Sequence, residues 1–465
     1  MSHHKPQKPR RDRLPPQLAQ VHLNAAGIDI GSEFHVVAVP PDRDEQPVRK
    51  FSAFTEGLLA LADWLQQCGI ETVVMESTGV YWIPLFELLE SRGFQVLLVD
   101  PRRLKHVPGR KSDICDAQWS QQLHTFGLLS PAFRPTEEIV VLRSYLRQRA
   151  MLLQCAAQHI QHMQKALTQM NVKLEKVLSD ITGLTGLSIL DAILAGERHP
   201  KTLAKLRDPR CQHSEETIAK SLQGNWRAEH LFALRQAVNL YRVYHQQVAE
   251  CDQQIESHLA TLVATRAVET DGDADEEPQP KPAARRKPKP RRNQLKFDAQ
   301  TPLQQIAGAD LTRIDGIDAH SALKIVSEVG TDMSRWKTVK NFTSWMTLCP
   351  GNKESGGKIL STRTRRSTNR VATVLRLAAN SLHNSQSALG AYLRRMKARL
   401  GTAQAITATA HKIARQVYFT LKYGRTFVDP GADAYNEQFR DRTLKSLRTR
   451  ALKLGYTLTP AANPQ

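Results

Sequence analysis

The chain lacks long apolar runs. Nowhere in its 465 residues does one approach the roughly 20 residues that span a bilayer, so a membrane-spanning helix is not expected. It also lacks paired cysteines. Cys68, Cys115, Cys155, Cys211, Cys251 and Cys349 include no C-x-x-C spacing, which argues against a disulfide framework or a cysteine zinc site. The short "CQH" at Cys211–His213 has no second ligand pair after it, and isolated thiols of a cytosolic protein are the reading. The basic, proline-rich start "MSHHKPQKPRRDRLPPQ" has no apolar segment behind it, so it does not read as a secretory signal. Acidic residues are too few to balance the basic ones, 45 against 65, a formal net charge of +20. Such a surplus points to a polyanionic partner, nucleic acid first and an anionic membrane surface second.

What is present suffices for two or three domains with real cores, since 41% of the residues are hydrophobic. Residues 1–24 read as a basic disordered arm. Residues 25–135 alternate strands and helices: "AAGIDIGSEFHVVAV" as a hairpin, "ETVVMES" and "FQVLLVDP" as buried strands, and "YWIPLFELLESRG" as a helix between them. That alternation implies an α/β domain. In residues 136–265, Leu146, Leu153, Ala156, Ile160, Met163, Leu167, Met170, Leu174 and Val177 follow a four-three spacing, with Arg149 as the polar intruder. Leu231, Leu234, Val238, Tyr241, Val248, Ile255, Leu259 and Leu262 repeat it, interrupted by His245 and Asp252. Heptads of this kind predict a coiled coil, either between protomers or as an antiparallel hairpin within one chain. Residues 266–298 form a charged, proline-dense linker, residues 299–427 a mostly α-helical domain, and residues 428–465 a basic tail.

The acidic residues of the α/β block fall at telling places. Asp29 lies between Ile28 and Ile30 in the first strand, and Glu76 ends the "TVVME" strand. A carboxylate in an apolar strand is costly unless it is paired, hydrogen-bonded or bound to metal. Asp113 and Asp116 are three apart and share one face of a helix. Each has a structural alternative, as a turn cap or an exposed ion pair. As an ordered set the four predict hard oxygen ligands for Mg²⁺, of the kind used in phosphodiester chemistry. The hairpin "GIDIGSEFHVVAV" also opens ATP-binding proteins of the sugar-kinase and actin type. No second phosphate-binding hairpin follows here, so an RNase H-like nuclease fold is preferred.

In the C-terminal block, "IDGIDAHSALKIVSEVG" resembles a helix-hairpin-helix element, whose exposed amides would hold a DNA phosphate. Further on, "PGNKESGGK" places Ser355 beside two glycines. Lys353, Lys358, Arg363, Arg365, Arg366 and Arg370, with Lys111 in the first block, are the candidate phosphate contacts. A serine hydroxyl is a weak nucleophile unaided. Alone, Ser355 reads as a turn residue; beside four carboxylates and this charge it is the best nucleophile candidate.

The order "GIDIGSEFHVVAV", "MESTGVYW", "VDPRRLKHVPGRKSDICDAQW", "IDGI" and "PGNKESGGK" resembles the insertion-sequence transposases of the one-ten and eleven-eleven group. These are DEDD-type recombinases that also carry an essential serine. The resemblance covers roughly residues 25–145 and 300–425 and implies a RuvC-like (RNase H fold) domain with Asp29, Glu76, Asp113 and Asp116 as its Mg²⁺-binding set. It implies that Ser355 attacks a DNA phosphate and becomes covalently joined to the DNA end. It further implies a bacterial, cytoplasmic and nucleoid-associated protein, dimeric or tetrameric and guided by a structured bridge RNA. The rival reading is a RuvC-like nuclease in which metal-activated water cuts DNA and Ser355 only positions it. A non-catalytic nucleic-acid scaffold is the third.

Overall fold

A computed structural model describes residues 20–77, 79–100, 113–270, 293–365, 368–425 and 427–459. Most of the basic arm and of the charged linker, with Lys111 and Arg366, lie outside the described residues. The chain divides into two compact units between Arg134 and Pro135. No helix among the described residues is long and apolar enough to cross a membrane.

The first unit is built on a five-stranded mixed sheet of β1 (Ala25–Ile30), β2 (Phe34–Ala38), β3 (Val48–Ser52), β4 (Thr72–Glu76) and β5 (Gln95–Val99). The strand order is β3-β2-β1-β4-β5. Strands β1, β2 and β3 are antiparallel neighbours, whereas β4 and β5 run parallel to β1. Helices α1 (Thr55–Gln67), α2 (Trp82–Ser91) and α3 (Asp113–Thr125) flank it. In α1 the buried Leu58, Leu61, Ala62 and Leu65 recur at three- and four-residue spacing, the stripe of a helix lying on a core. Ala26, Ile28 and Ile30 of β1 join Val73 and Met75 of β4 in the hydrophobic cluster beneath α1 and α2. Strand side chains alternate, so Gly27 and Asp29, and likewise Val74 and Glu76, face the opposite side. There Ala117 of α3 packs on Val36 and Ala38 of β2.

The second unit starts with two long helices, joined by α5 (Leu174–Val177), α6 (Leu184–Ala195), α7 (Pro200–Ala204) and α8 (Glu215–Ser221). The long pair, α4 (Glu137–Gln169) and α9 (Ala228–Thr270), runs antiparallel. His258 Nε2 lies 2.9 Å from Glu138 O at one end, and His159 stacks on Tyr244 toward the other. The apolar stripe is therefore closed within one chain. Its two charged interruptions answer each other: Arg149 Nε meets Asp252 Oδ1 at 2.5 Å, both side chains fully buried. Removing one partner of such a pair typically costs about 3–5 kcal/mol, because the other charge is left without compensation.

The remaining helices are α10 (Gln300–Ala307), α11 (Ala319–Val329), α12 (Val339–Trp345), α13 (Arg370–Ser381), α14 (Ala388–Leu400), α15 (Thr402–Tyr423) and α16 (Gly431–Lys453). Arg143 of α4 donates to Ser327 O and Glu328 O at 3.0 and 2.9 Å, so a cation satisfies the carbonyls that end α11. The "IDGIDAHS" segment follows a 3-10 turn at Leu311–Arg313 and leads into α11, whose start Asp318 caps by accepting from Ser321 N at 2.8 Å. Gly316 has φ +89°, and a Cβ there would stand 2.7 Å from Ala378 O. This glycine lets the turn seat on α13. The last stretch, which reads in sequence as a basic tail, contains the helix α16.

Candidate active site

Strand register sets the first half of the site. Ile28 is paired with Met75 across parallel β1 and β4, so the next residues, Asp29 and Glu76, are neighbours at the carboxyl ends of adjacent strands. Both lie on the α3 side and are half-buried. Ligands of α/β sheets characteristically bind outside the carboxyl ends of parallel strands, where connections diverge.

Helix α3 brings the second pair. A Cβ on Gly27 would stand 2.4 Å from both Ala117 O and Gln121 N, so the helix backbone rests directly on this glycine. Gln121 Nε2 donates to Ala25 O at 3.3 Å, and Val21 N to Thr125 O at 2.8 Å. Helix numbering thus falls as strand numbering rises, and the first turn of α3, with Asp113 and Asp116, lies toward the Asp29 end of β1. Asp116 is half-buried and Asp113 exposed. Acids in a first helical turn also stabilise the helix dipole, which is the structural role open to both.

At the other end of α3, His124 Nε2 and Thr72 Oγ1 are 2.8 Å apart, and the His22 ring stacks on His124 at 4.8 Å. Burial, and then the charge of His22, pulls the His124 imidazole down to about 4. A neutral ring therefore pins α3 to β4 at neutral pH. Neither His124 nor Gly27 is a sequence-predicted site residue. The run of small residues "AAG" was the available signal for a strand crossed closely by a helix, and His124 carried none.

All four carboxylates offer hard oxygens, the donor type a divalent cation takes, and lie toward one end of one sheet face. Among the described residues, no three His, Cys, Asp or Glu side chains stand close enough together to hold one.

Ser355 belongs to the second unit. It ends β6 (Lys353–Ser355) opposite Lys358 of β7 (Lys358–Ser361), and Gly356 and Gly357 turn the chain between them. Their φ values of +55° and +73° are those of a type I′ hairpin turn, which glycine adopts without cost. Every residue from Asn352 to Leu360 is exposed. The base of the hairpin is held by a bridge between Pro350 and Thr364 and by Gly351 N donating to Arg363 O at 3.0 Å. Arg365 reaches Ser344 O of α12 at 3.4 Å, and Arg370 opens α13 behind the Asn369 cap. Lys353, Lys358, Arg363 and Arg365 thus line one exposed hairpin and its base.

Two family models match the chain. A transposase model of the DEDD, IS110 type matches residues 26–172, and the model described as transposase IS116/IS110/IS902 family matches residues 308–394. No curated protein matches the chain at a significant level. The first match contains the carboxylate face and the second contains the serine hairpin. The mixed sheet with its flanking helices fits the α/β nuclease-like domain of the DEDD type. The chain belongs to the IS110 family of transposases, enzymes that act on DNA in transposition and recombination.

Proposed function

We propose that this transposase cuts and rejoins DNA through a covalent serine–DNA intermediate, with Ser355 as nucleophile and Asp29, Glu76, Asp113 and Asp116 as the acidic half of the site. One observation carries the reading: four carboxylates from two parallel strands and a helix turn share one end of an RNase H-like sheet face, and the same chain exposes a serine among cations. The carboxylates would hold Mg²⁺, which when bound polarises the target phosphate and stabilises the departing 3′ oxygen.

The chain's own groups do the rest. Ser355 Oγ forms a bond to phosphorus as the bond from phosphorus to the 3′ oxygen breaks. The serine proton is lost and the 3′ oxygen leaves as a hydroxyl, so no proton is gained or lost overall. A 3′ hydroxyl of the exchange strand then attacks the phosphoserine and restores the serine, conserving the bond energy without ATP. Lys358, the cross-strand partner of Ser355, brings a cation to the reacting phosphate. Lys353, Arg363, Arg365 and Arg370, with Lys111 and Arg366, neutralise the flanking backbone. The sequence likeness of the Gly316 segment to a helix-hairpin-helix adds a phosphate contact there, and the family resemblance adds guidance by a bridge RNA and assembly as a dimer or tetramer.

The test uses full-length protein, Mg²⁺ and a plasmid carrying the gene with its natural flanks and the RNA transcribed from them. DNA that stays attached after denaturation, and maps to a peptide containing Ser355, is the expected result. Ser355→Ala and Asp116→Asn should each abolish it. Cleaved DNA without an adduct, still produced by Ser355→Ala, would sink the covalent mechanism in favour of metal-activated water.

A further inference from the structure

Helix α16 lies outside both matched regions, and of its 23 residues only Ala432 is buried. Only its base is anchored. Ala432 is buried and its N–H donates to Gln386 O at 2.9 Å. The Arg395 guanidinium of α14 sits 3.5 Å over the Phe439 ring and 4.8 Å over that of Tyr435. From Asn436 to Arg450 every residue is exposed. A helix this free of packing needs another reason to keep its composition.

That composition is cationic. Between positions 440 and 453 stand Arg440, Arg442, Lys445, Arg448, Arg450 and Lys453 against the single acid Asp441. The seat of the helix carries the same sign. Lys412 is held below the ordinary ammonium range first by burial, then by Arg415, Arg395 and Arg442. Among the described residues, the ion pairs of this unit include none of these four cations. Like charges gathered with few acids among them raise the local potential and favour a polyanion.

The helix also shows Leu444, Leu447 and Ala451 on a narrow stripe, at 44% exposure for Leu447. Pairing with a second copy through that stripe is disfavoured. The stripe spans about one heptad, fewer than the three or four a coiled coil sustains, and would bring basic flanks together.

We propose that α16 is a second DNA-binding element, whose Arg442, Lys445 and Arg448 contact backbone phosphates of duplex DNA without regard to base sequence. Its length suits this, since the free segment spans about 20 Å at 1.5 Å per residue and a helix fits the major groove. The proposal does not depend on the serine chemistry.

The experiment measures binding of the full-length protein to a duplex of arbitrary sequence between about 50 and 200 mM salt. Arg442→Gln, Lys445→Gln and Arg448→Gln together should lower the slope of log affinity against log salt by about two to three, near 0.9 per lost phosphate contact. Glutamine keeps helix propensity, and unchanged circular dichroism would confirm that. Arg442→Lys with Arg448→Lys should retain the wild-type slope. Ser355→Ala should retain it too, so failure of the nucleophile assignment would leave this result standing. An unchanged slope in the triple variant overturns the proposal. So does a loss seen only with RNA of equal length, or only with anionic vesicles, or a loss tracking a fall in oligomer mass.

Discussion

The carboxylate face and the serine hairpin are opposites in how they are held. Asp29 and Glu76 are fixed by strand register, and the turn bearing Asp113 and Asp116 is fixed by backbone resting on Gly27. Around Gly27 there is no space for even one carbon. Around Gly356 and Gly357 an added Cβ would meet nothing within 4 Å. The same residue type thus does two different jobs, permitting close approach in one unit and a reversed chain direction in the other. On the proposed assignment, the contrast teaches that one half of the chemistry is built into a core, where any displacement costs packing. The other half is carried on a small arm whose position is set by a turn and a few ladder bonds. On that reading, substitutions in the first half should disturb stability and activity together. Those in the second should disturb activity alone.

The largest effect should come from Gly27→Ala. The new methyl would collide with helix backbone, which has no rotamer to escape through, so α3 must move away from β1. Overpacking of this kind costs about 1–3 kcal/mol, and here the upper part of that range is expected. Thermal unfolding of the first unit should shift down by several degrees, and DNA cleavage should be lost because Asp113 and Asp116 travel with the helix. A variant with full activity and unchanged unfolding would break the comparison.

His124 offers a second handle on the same packing. Its imidazole titrates near the ordinary value of about 6.5 in the unfolded chain and is lowered to about 4 in the fold, chiefly by burial. The unfolded state therefore binds the proton more readily. Stability is fully present above pH 6.5 and is lost as pH falls toward 4, by about 2 kcal/mol at pH 5. The difference between wild type and His124→Gln isolates this group from the carboxylates and from the other buried histidines. Their unfolding curves should converge as pH drops from 7 to 5. Parallel curves over that range would remove His124 as the source.

How much of this was readable in advance depends on where each partner sits. The strands at Asp29 and Glu76 announce themselves as apolar runs that carry an acid, within the run at Asp29 and at its end at Glu76, and the three-residue spacing of Asp113 and Asp116 needs only one helix. Strand β3, "VRKFS", escapes notice because an edge strand exposed on one side carries little hydrophobic signal. Arg149 and Asp252 appear in sequence as two unrelated faults in a heptad pattern; 103 residues separate them, and only the antiparallel pairing of α4 with α9 makes them one ion pair. Helix α16 was hidden for a related reason. Its polar, basic composition has no core-facing periodicity, because most of it faces no core. The twist that matters most at the serine was half visible: "ESGGK" declares a turn, yet the flanking residues are polar, so nothing marks it as a hairpin with a fixed register.

That register supplies the smallest and most discriminating change. Gly356 and Gly357 both have positive φ, a region that costs an ordinary L-residue roughly 1–2 kcal/mol and that asparagine tolerates best. Asn-Gly is also the favoured pair for a two-residue type I′ turn. Gly356→Asn should therefore keep the hairpin, hold Lys358 opposite Ser355 and leave adduct formation close to wild type. Gly356→Val has just as much room, since nothing lies within 4 Å, but β-branching opposes positive φ. Its hairpin should be less populated, cutting adduct yield by about ten-fold, the equivalent of about 1.4 kcal/mol. Global unfolding should not move in either variant, because no buried side chain depends on the turn. Equal adduct yields for Asn and Val would mean that turn geometry does not position the serine. An unfolding shift in Val alone would mean that the arm is part of a core after all, and the contrast with Gly27 would fail.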